Sequence, residues 1–139
     1  MMPTTLNSTL QASALSAAAF RNMAVFEGGY NVCINICKAA DQFQSNNDMI
    51  VRELQHFAMQ VPLNLSRSAS YKQGKNYLRF LKCAFLSTKQ LSTLLMLCHD
   101  MNYISADKFL TLNNNVSQFS SKLLRYIRFV EAKRKKNEN

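Results

Sequence analysis

Apolar residues spaced three and four positions apart dominate the chain from Met23 onward. This spacing is typical of amphipathic helices, and no segment shows the sustained alternation of a half-buried strand. We therefore predict four helices, each with one buried face. In helix order, the residues predicted to be buried are Val25, Phe26, Tyr30, Cys33, Ile34, Cys37 and Phe43; Ile50, Leu54, Phe57, Ala58 and Val61; Tyr77, Leu81, Ala84, Leu91, Leu95 and Cys98; and Phe109, Leu112, Val116, Phe119, Leu123, Ile127 and Val130.

Polar turn residues separate these four segments. Residues 45–48 and residues 102–104 are predicted to form the first and third connections, and Ser105 is predicted to cap the fourth helix. Ser70 and Gln73 have the spacing of a capping box at the start of the third helix.

Glycine and proline mark three further positions. Gly74 is predicted to lie in the second connection, and the pair at 28–29 weakens the helical pattern of the first segment. Pro62 lacks an N–H, so we expect the second helix to kink or restart there, with one or two further turns over residues 63–69.

Long amphipathic segments joined by short connections favour antiparallel neighbours. The predicted fold is all-α, an up-down-up-down four-helix bundle over residues 20–131. Residues 1–19 carry no charged side chain and are predicted to form a flexible leader, and residues 132–139 are predicted to form a basic, flexible tail.

Composition narrows the class of protein. A length of 139 residues suits one domain, and a hydrophobic fraction of 47% argues against a disordered chain. There is no run of about 18 apolar residues to span a membrane, and the leader lacks the basic start of a secretory signal. We therefore expect a cytoplasmic protein that does not bind membranes, with its four cysteines reduced and packed among apolar residues.

The residues that carry catalysis or bind metals are sparse. Cys33 and Cys37 share a helix face, but His56 and His99 are the only imidazoles, and no paired zinc-ligand motif is present. The eight acidic residues are scattered singly, and the glycine pair lacks the spacing of a phosphate loop. We predict a non-enzymatic protein with no metal and no cofactor.

Charge is the most informative property of the sequence. Seventeen basic and eight acidic residues give a net charge of +9, and no acidic residue lies between Glu53 and Asp100. Four basic residues of the third helix fall within an arc of about 80°, opposite its apolar face. Because oppositely charged residues are not interleaved with them, this face favours an external anion. The candidate nucleic-acid-binding residues are Arg67, Lys72, Lys75, Arg79, Lys82, Lys89, Lys122, Arg125, Arg128, Lys133 and Arg134.

Three interpretations of this charge remain open at this point. The anion is nucleic-acid phosphate, the anion is an acidic protein partner, or the basic face is simply solvated. Tyr71 and Tyr77 are interleaved with the charge and have the chemistry to stack on bases, although Tyr77 also fits the core.

Four motifs occur in order along the chain: Phe20-Arg21-x-Met23-x-Val25-Phe26, Leu54-x-x-Phe57-Ala58-x-x-Val61-Pro62-x-Asn64-Leu65, Tyr77-Leu78-Arg79-Phe80-Leu81-x-x-Ala84 and Asn102-Tyr103-Ile104. Together they resemble one bacterial family over about residues 20–130. It is the small four-helix-bundle family first noted as reading frames inside intervening sequences of large-subunit ribosomal RNA genes. A related branch is the accessory variability determinant of diversity-generating retroelements.

The resemblance implies a homopentameric ring. In the retroelement branch it implies a basic accessory protein that works with a reverse transcriptase and its template RNA. The chain departs from the common pattern mainly by losing acids, with Arg67-Ser68 in place of Glu-Gly and with Gln90 and Ser92 at acidic positions. This loss favours the nucleic-acid-associated branch. The alternative is an oligomeric scaffold that docks an acidic protein and binds no RNA or DNA.

Overall fold

The computed structural model describes residues 17–43 and 48–138, and within these residues it contains helices and no strand. The helices are α1 (Ala17–Ala40), α2 (Asp48–Tyr71), α3 (Lys75–Asp100) and α4 (Ala106–Glu138). The predicted all-α, four-helix architecture is confirmed.

Contacts between helices show that each runs antiparallel to the next. Gly29 of α1 lies against Leu65 of α2, and the ring of Tyr71 stacks on that of Phe80 in α3. Among the four pairs of neighbouring helices, α2–α3 packs most extensively and α1–α4 least. The start of α1, the α2–α3 turn (residues 72–74) and the last part of α4 therefore share one end of the bundle, called the turn end below. The opposite end, with the α3–α4 connection, is called the loop end.

The buried faces of α2, α3 and α4 are the ones that the sequence predicts. Leu54, Ala58 and Val61 of α2 are completely buried. Ile50, Phe57, Phe109 and Val130 pack partly buried against the core. The remaining confirmed core residues are Tyr77, Leu81, Ala84, Leu91, Leu95 and Cys98 in α3, and Leu112, Val116, Phe119, Leu123 and Ile127 in α4.

The predicted buried face of α1 is wrong in part. Phe26 and Tyr30 are 40% and 46% exposed and stack on each other, with ring centroids 6.2 Å apart. The residues of α1 that are buried in the core lie on a different face of the helix: Val32, Ile36, Ala39 and Ala40. Val25, Cys33, Cys37 and Phe43 pack partly buried at the edge of the core.

Gly29 explains which face of α1 turns inward. A Cβ atom at this position would lie 2.6 Å from Leu65 Cδ1, 3.0 Å from Val61 Cγ1 and 3.1 Å from Phe119 Cζ. Real Cβ atoms do not approach other heavy atoms as closely as the first of these distances, so glycine is what lets α1 pack against both α2 and α4. A residue that weakens the helical pattern in the sequence thus orients the helix in the fold.

The connections are short and mostly as predicted. The backbone N–H of Lys108 donates to Ser105 Oγ at 3.1 Å, which confirms Ser105 as a cap. Asn102 adopts a left-handed φ of 64°, and the N–H of Tyr103 donates to the carbonyl of Cys98 at 2.8 Å. This geometry is a Schellman motif that ends α3.

Two predicted boundaries are corrected. Pro62 lies inside an uninterrupted α2, because the fully buried Ala58 and Val61 hold that part of the helix in the core. Ser70 belongs to the last turn of α2 and donates to the carbonyl of Arg67, so it does not cap α3. The residue before α3 is Gly74, with a φ of 96° and no side-chain cap.

The ends of the chain extend the helices further than predicted. Residues 17–19, assigned to the leader by the sequence, belong to α1, and residues 1–16 lie outside the described range. Residues 132–138, assigned to the tail, continue α4 as helix. Residues 45–47 of the first predicted connection also lie outside the described range.

Candidate nucleic-acid interface

Charge is segregated along the axis of the bundle. Because neighbouring helices are antiparallel, residues far apart in sequence gather at the same end. The third of the bundle nearest the loop end contains five of the eight acidic residues and only three of the seventeen basic residues. The other two thirds of the bundle therefore carry all the excess positive charge. The charged residues of the loop-end third are Asp41, Asp48, Glu53, Asp100 and Asp107, with Lys38, Arg52 and Lys108.

The basic residues of α3 lie exposed on its outer face. They form a line that points away from the core, called the α3 row below: Lys75, Arg79, Lys82 and Lys89. The exposed Leu86 interrupts the α3 row between the last two. From first to last the row is about 21 Å long at 1.5 Å per residue. It is therefore long enough to follow several phosphates of an extended strand.

The start of α3 adds to this positive potential. Gly74 offers no side-chain oxygen to the first N–H groups of the helix, and the first turn contains no acidic residue. Lys75 instead places a cation where the helix dipole favours an anion. The start of α3 is thus a site of positive potential that its own helix does not neutralise.

An ion pair joins the α3 row to α4. Lys82 Nζ lies 2.9 Å from Glu131 Oε2, and both side chains are about half exposed. Lys82 is therefore partly neutralised and is a weaker phosphate ligand than the rest of the row.

The predicted basic cluster on α4 divides between two sides of that helix. At about 100° per residue, Arg128 and Arg134 lie within about 60° of Glu131 and so face the α3 row. Lys122 and Lys133 lie about 160° or more from Glu131, on the opposite side of α4, and Arg125 lies about 120° away. The structure therefore brings Arg128 and Arg134 close to the α3 row and separates the other three basic residues from it.

Arg67 is held in place by a buried residue that the charge pattern does not reveal. Its Nη1 donates to Asn64 Oδ1 at 3.0 Å, and Asn64 Nδ2 donates to the carbonyl of Gln60 at 2.9 Å. Asn64 is buried, so the bond fixes where the exposed guanidinium lies. The only sequence signal for Asn64 is its place two residues after Pro62 in the recognised motif.

The two tyrosines of the basic region differ in their exposure to solvent. Tyr77 is buried and shares a short hydrogen bond with the hydroxyl of Tyr126, and burial raises its pKa above the ordinary range. Tyr71 is exposed at the end of α2, directly before the exposed Lys72. Of these two, Tyr71 alone is accessible to a ligand.

The cysteines have the properties of packed thiols. Burial raises the pKa of Cys33 to about 12 and that of Cys98 to about 11, and it also raises the pKa of Cys37. These three thiols are protonated at neutral pH, whereas a nucleophile or metal ligand must be a thiolate. Among the described residues, no three His, Cys, Asp or Glu side chains are grouped so that they could bind a metal ion.

We expect Cys98 to resist alkylation while the protein is folded. A pKa raised from 9.0 to about 11 lowers the thiolate fraction at pH 8 about 100-fold, and complete burial slows the reaction further. Iodoacetamide labelling at pH 8, followed by mass spectrometry with and without urea, measures this ratio. Equal labelling rates in the two conditions would contradict the assigned burial.

None of the described helices is both long and apolar enough to cross a bilayer.

Comparisons with known proteins give one family match and one similar fold. The sequence pattern of the family described as 23S rRNA-intervening sequence protein matches residues 21–125. The chain is also similar to the crystal structure of a protein of unknown function from the S23 ribosomal protein family of Bacteroides thetaiotaomicron. The TM-score is 0.70 at 14% identity, over 78% of this chain and 98% of that one. No curated protein matches the chain.

Proposed function

The chain belongs to the 23S rRNA-intervening sequence protein family, and from this premise we propose that it is a non-enzymatic accessory protein that binds the phosphate backbone of nucleic acid through its turn end. The residues proposed as the main phosphate ligands are Arg67, Lys72, Lys75, Arg79, Lys89, Arg128 and Arg134.

The proposal rests on the segregation of charge along the bundle axis. A protein needs net charge for solubility, but solubility does not require that five of its eight acids gather near one end while fourteen of its seventeen basic residues lie elsewhere. Like charges on one helix face repel one another, and no acidic residue of α3 lies between Lys75 and Lys89. A polyanion that spans several of these side chains relieves that repulsion and releases its own counterions.

We expect affinity for a labelled 40-nucleotide single-stranded RNA or DNA to fall steeply with salt. Neutralising about six phosphates on a single strand predicts a slope of log K against log salt of about −4. Fluorescence anisotropy between 50 and 300 mM NaCl measures the slope. The proposal fails if no binding is detected at 50 mM NaCl.

The same basic surface also suits an acidic protein, so the experiment includes a competitor. Poly-glutamate of matched charge displaces nucleic acid from any cationic surface, but it lacks phosphate. If poly-glutamate binds more tightly than RNA and DNA, the scaffold that docks an acidic partner is the better assignment.

We further propose that the chain assembles as a homopentameric ring, as the resemblance implies. Many large apolar side chains remain exposed on a single copy, including Leu63, Met96, Leu97, Met101 and Leu110, and their burial between copies would stabilise an oligomer. Light scattering should give a mass five times the 15.9 kDa of one chain. A mass of one chain would remove the ring.

The protein partner proposed from the resemblance is a reverse transcriptase with its template RNA in a diversity-generating retroelement. Co-purification of the tagged chain with the reverse transcriptase of a neighbouring gene, with and without nuclease, tests this partner. Absence of such a gene beside this one would contradict the retroelement assignment.

A further inference from the structure

An aromatic pair lies at the turn end. The rings of Tyr71, the last residue of α2, and Phe80 in α3 are stacked, with centroids 5.6 Å apart and planes 12° from parallel. Tyr71 remains 46% exposed. The stack holds the ring of Tyr71 in one orientation while a large part of it stays open to solvent.

Cations surround this pair. The guanidinium carbon of Arg79 lies 5.7 Å from the centre of the Phe80 ring, and Lys72 follows Tyr71 directly in the turn. Arg67, four residues before Tyr71, lies on the same side of α2 and is fixed by Asn64. An exposed ring held among cations at this spacing matches the arrangement by which proteins hold single strands, with bases on the ring and phosphates on the cations.

The geometry favours single strands over duplexes. In a duplex the faces of the bases are stacked on one another, so an aromatic side chain at the surface cannot reach them without unpairing the strands. An unpaired base has a free face, and stacking does not require a particular sequence.

We propose that the turn end selects single-stranded nucleic acid, with one unpaired base stacked on Tyr71 and the neighbouring phosphates on Arg67, Lys72 and Arg79. This inference rests on the proposed function and adds to it the strandedness of the ligand and the residue that recognises it.

Tyr30 provides a matched control. It is also 46% exposed and also stacks on a neighbouring aromatic ring, that of Phe26. However, it lies in the middle of α1 with no Lys or Arg within one turn on its own helix. A general effect of removing an exposed tyrosine would appear in both variants, whereas base stacking at the turn end involves only Tyr71.

The experiment compares the full-length wild type with Tyr71→Ala, Tyr71→Phe and Tyr30→Ala. The probes are a labelled 20-nucleotide mixed-sequence single strand and the 20-base-pair duplex of the same sequence, in 0.1 M NaCl. We expect Tyr71→Ala to lower single-strand affinity about tenfold and to leave duplex affinity within about twofold. Tyr71→Phe keeps the ring and retains wild-type affinity, as does Tyr30→Ala.

Tyrosine fluorescence adds a second readout, since the chain has five tyrosines and no tryptophan. We expect single strands to quench part of the emission of the wild type and to quench Tyr71→Ala less. Light scattering on the same variants checks that assembly is unchanged.

The outcomes separate this inference from the proposed function. If neither probe binds the wild type, both fail. If both probes bind and Tyr71→Ala weakens neither, nucleic-acid binding stands and the stacking role is overturned. If Tyr71→Ala instead changes the mass of the assembly, the ring of Tyr71 is a contact between copies and the inference is again overturned.

Discussion

Replacing Gly29 by alanine should lower the free energy of unfolding by about 1–2 kcal/mol, although alanine is the better helix former. Overpacking a filled core costs about 1–3 kcal/mol, and here the added Cβ meets Leu65, Val61 and Phe119 at 3.1 Å or less. Val61 is β-branched and completely buried, so it has little freedom to move away. Urea unfolding followed by circular dichroism, at one fixed protein concentration, measures the change.

Gly28→Ala is the comparison that isolates packing from helix propensity. Both substitutions gain about 1 kcal/mol of propensity, but a Cβ at Gly28 meets only the Phe119 ring, at 3.0 and 3.1 Å. We expect Gly28→Ala to change stability by less than about 1 kcal/mol in either direction. Adding Leu65→Val to Gly29→Ala removes the closest atom and should restore part of the loss. Two equally stable alanine variants would contradict the packing of α1 described above.

Reversing three charges of the α3 row should weaken nucleic-acid binding at least about 100-fold in 0.1 M salt. The variant is Lys75→Glu, Arg79→Glu and Lys89→Glu. It omits Lys82, because an acid there would face Glu131 at the position of the present ion pair. Losing three phosphate contacts on a single strand should also make the salt slope shallower by about 2. Anisotropy with the 40-nucleotide probe gives both quantities.

A second triple variant controls for net charge. Lys38→Glu, Arg52→Glu and Lys108→Glu remove the same amount of positive charge at exposed positions of the loop-end third. If only total charge mattered, the two triple variants would lose affinity equally. We expect the loop-end variant to lose no more than about fivefold, because its charges lie near the end of the bundle opposite Lys75 and Arg79 and salt screens them at that distance. Equal losses would mean that the α3 row is not the binding surface.

Periodicity predicts a helix reliably when only one of its faces is continuous and apolar. This holds for α3, where Leu81, Leu91 and Leu95 define a single apolar face. All three residues are completely buried. In α1 two overlapping faces satisfy the same spacing. Bulky Phe26 and Tyr30 favour the face that turns out to be exposed, whereas Gly29 and Ala40 lie on the buried one. Small residues carry little hydrophobic signal, yet they are the ones that permit close packing.

The sequence likewise predicts one part of the candidate interface and leaves another part undetermined. The exposure of Lys75, Arg79 and Lys89 follows from their position opposite an apolar face, so the sequence predicts it. Which basic residues of α4 join them depends on how far that helix is rotated and shifted against α3. The contact between Lys82 and Glu131 reports this register, and no local pattern encodes it.

The sequence by itself determined four amphipathic helices, the buried faces of three of them and the excess of positive charge, because each is a local or summed property of the chain. Only the tertiary structure decided which face of α1 is buried, which basic residues share a surface, and that Tyr77 is enclosed while Tyr71 is open. These depend on contacts between residues distant in sequence, where close approach at Gly29 and the register of α3 against α4 select one arrangement among several that the same pattern allows.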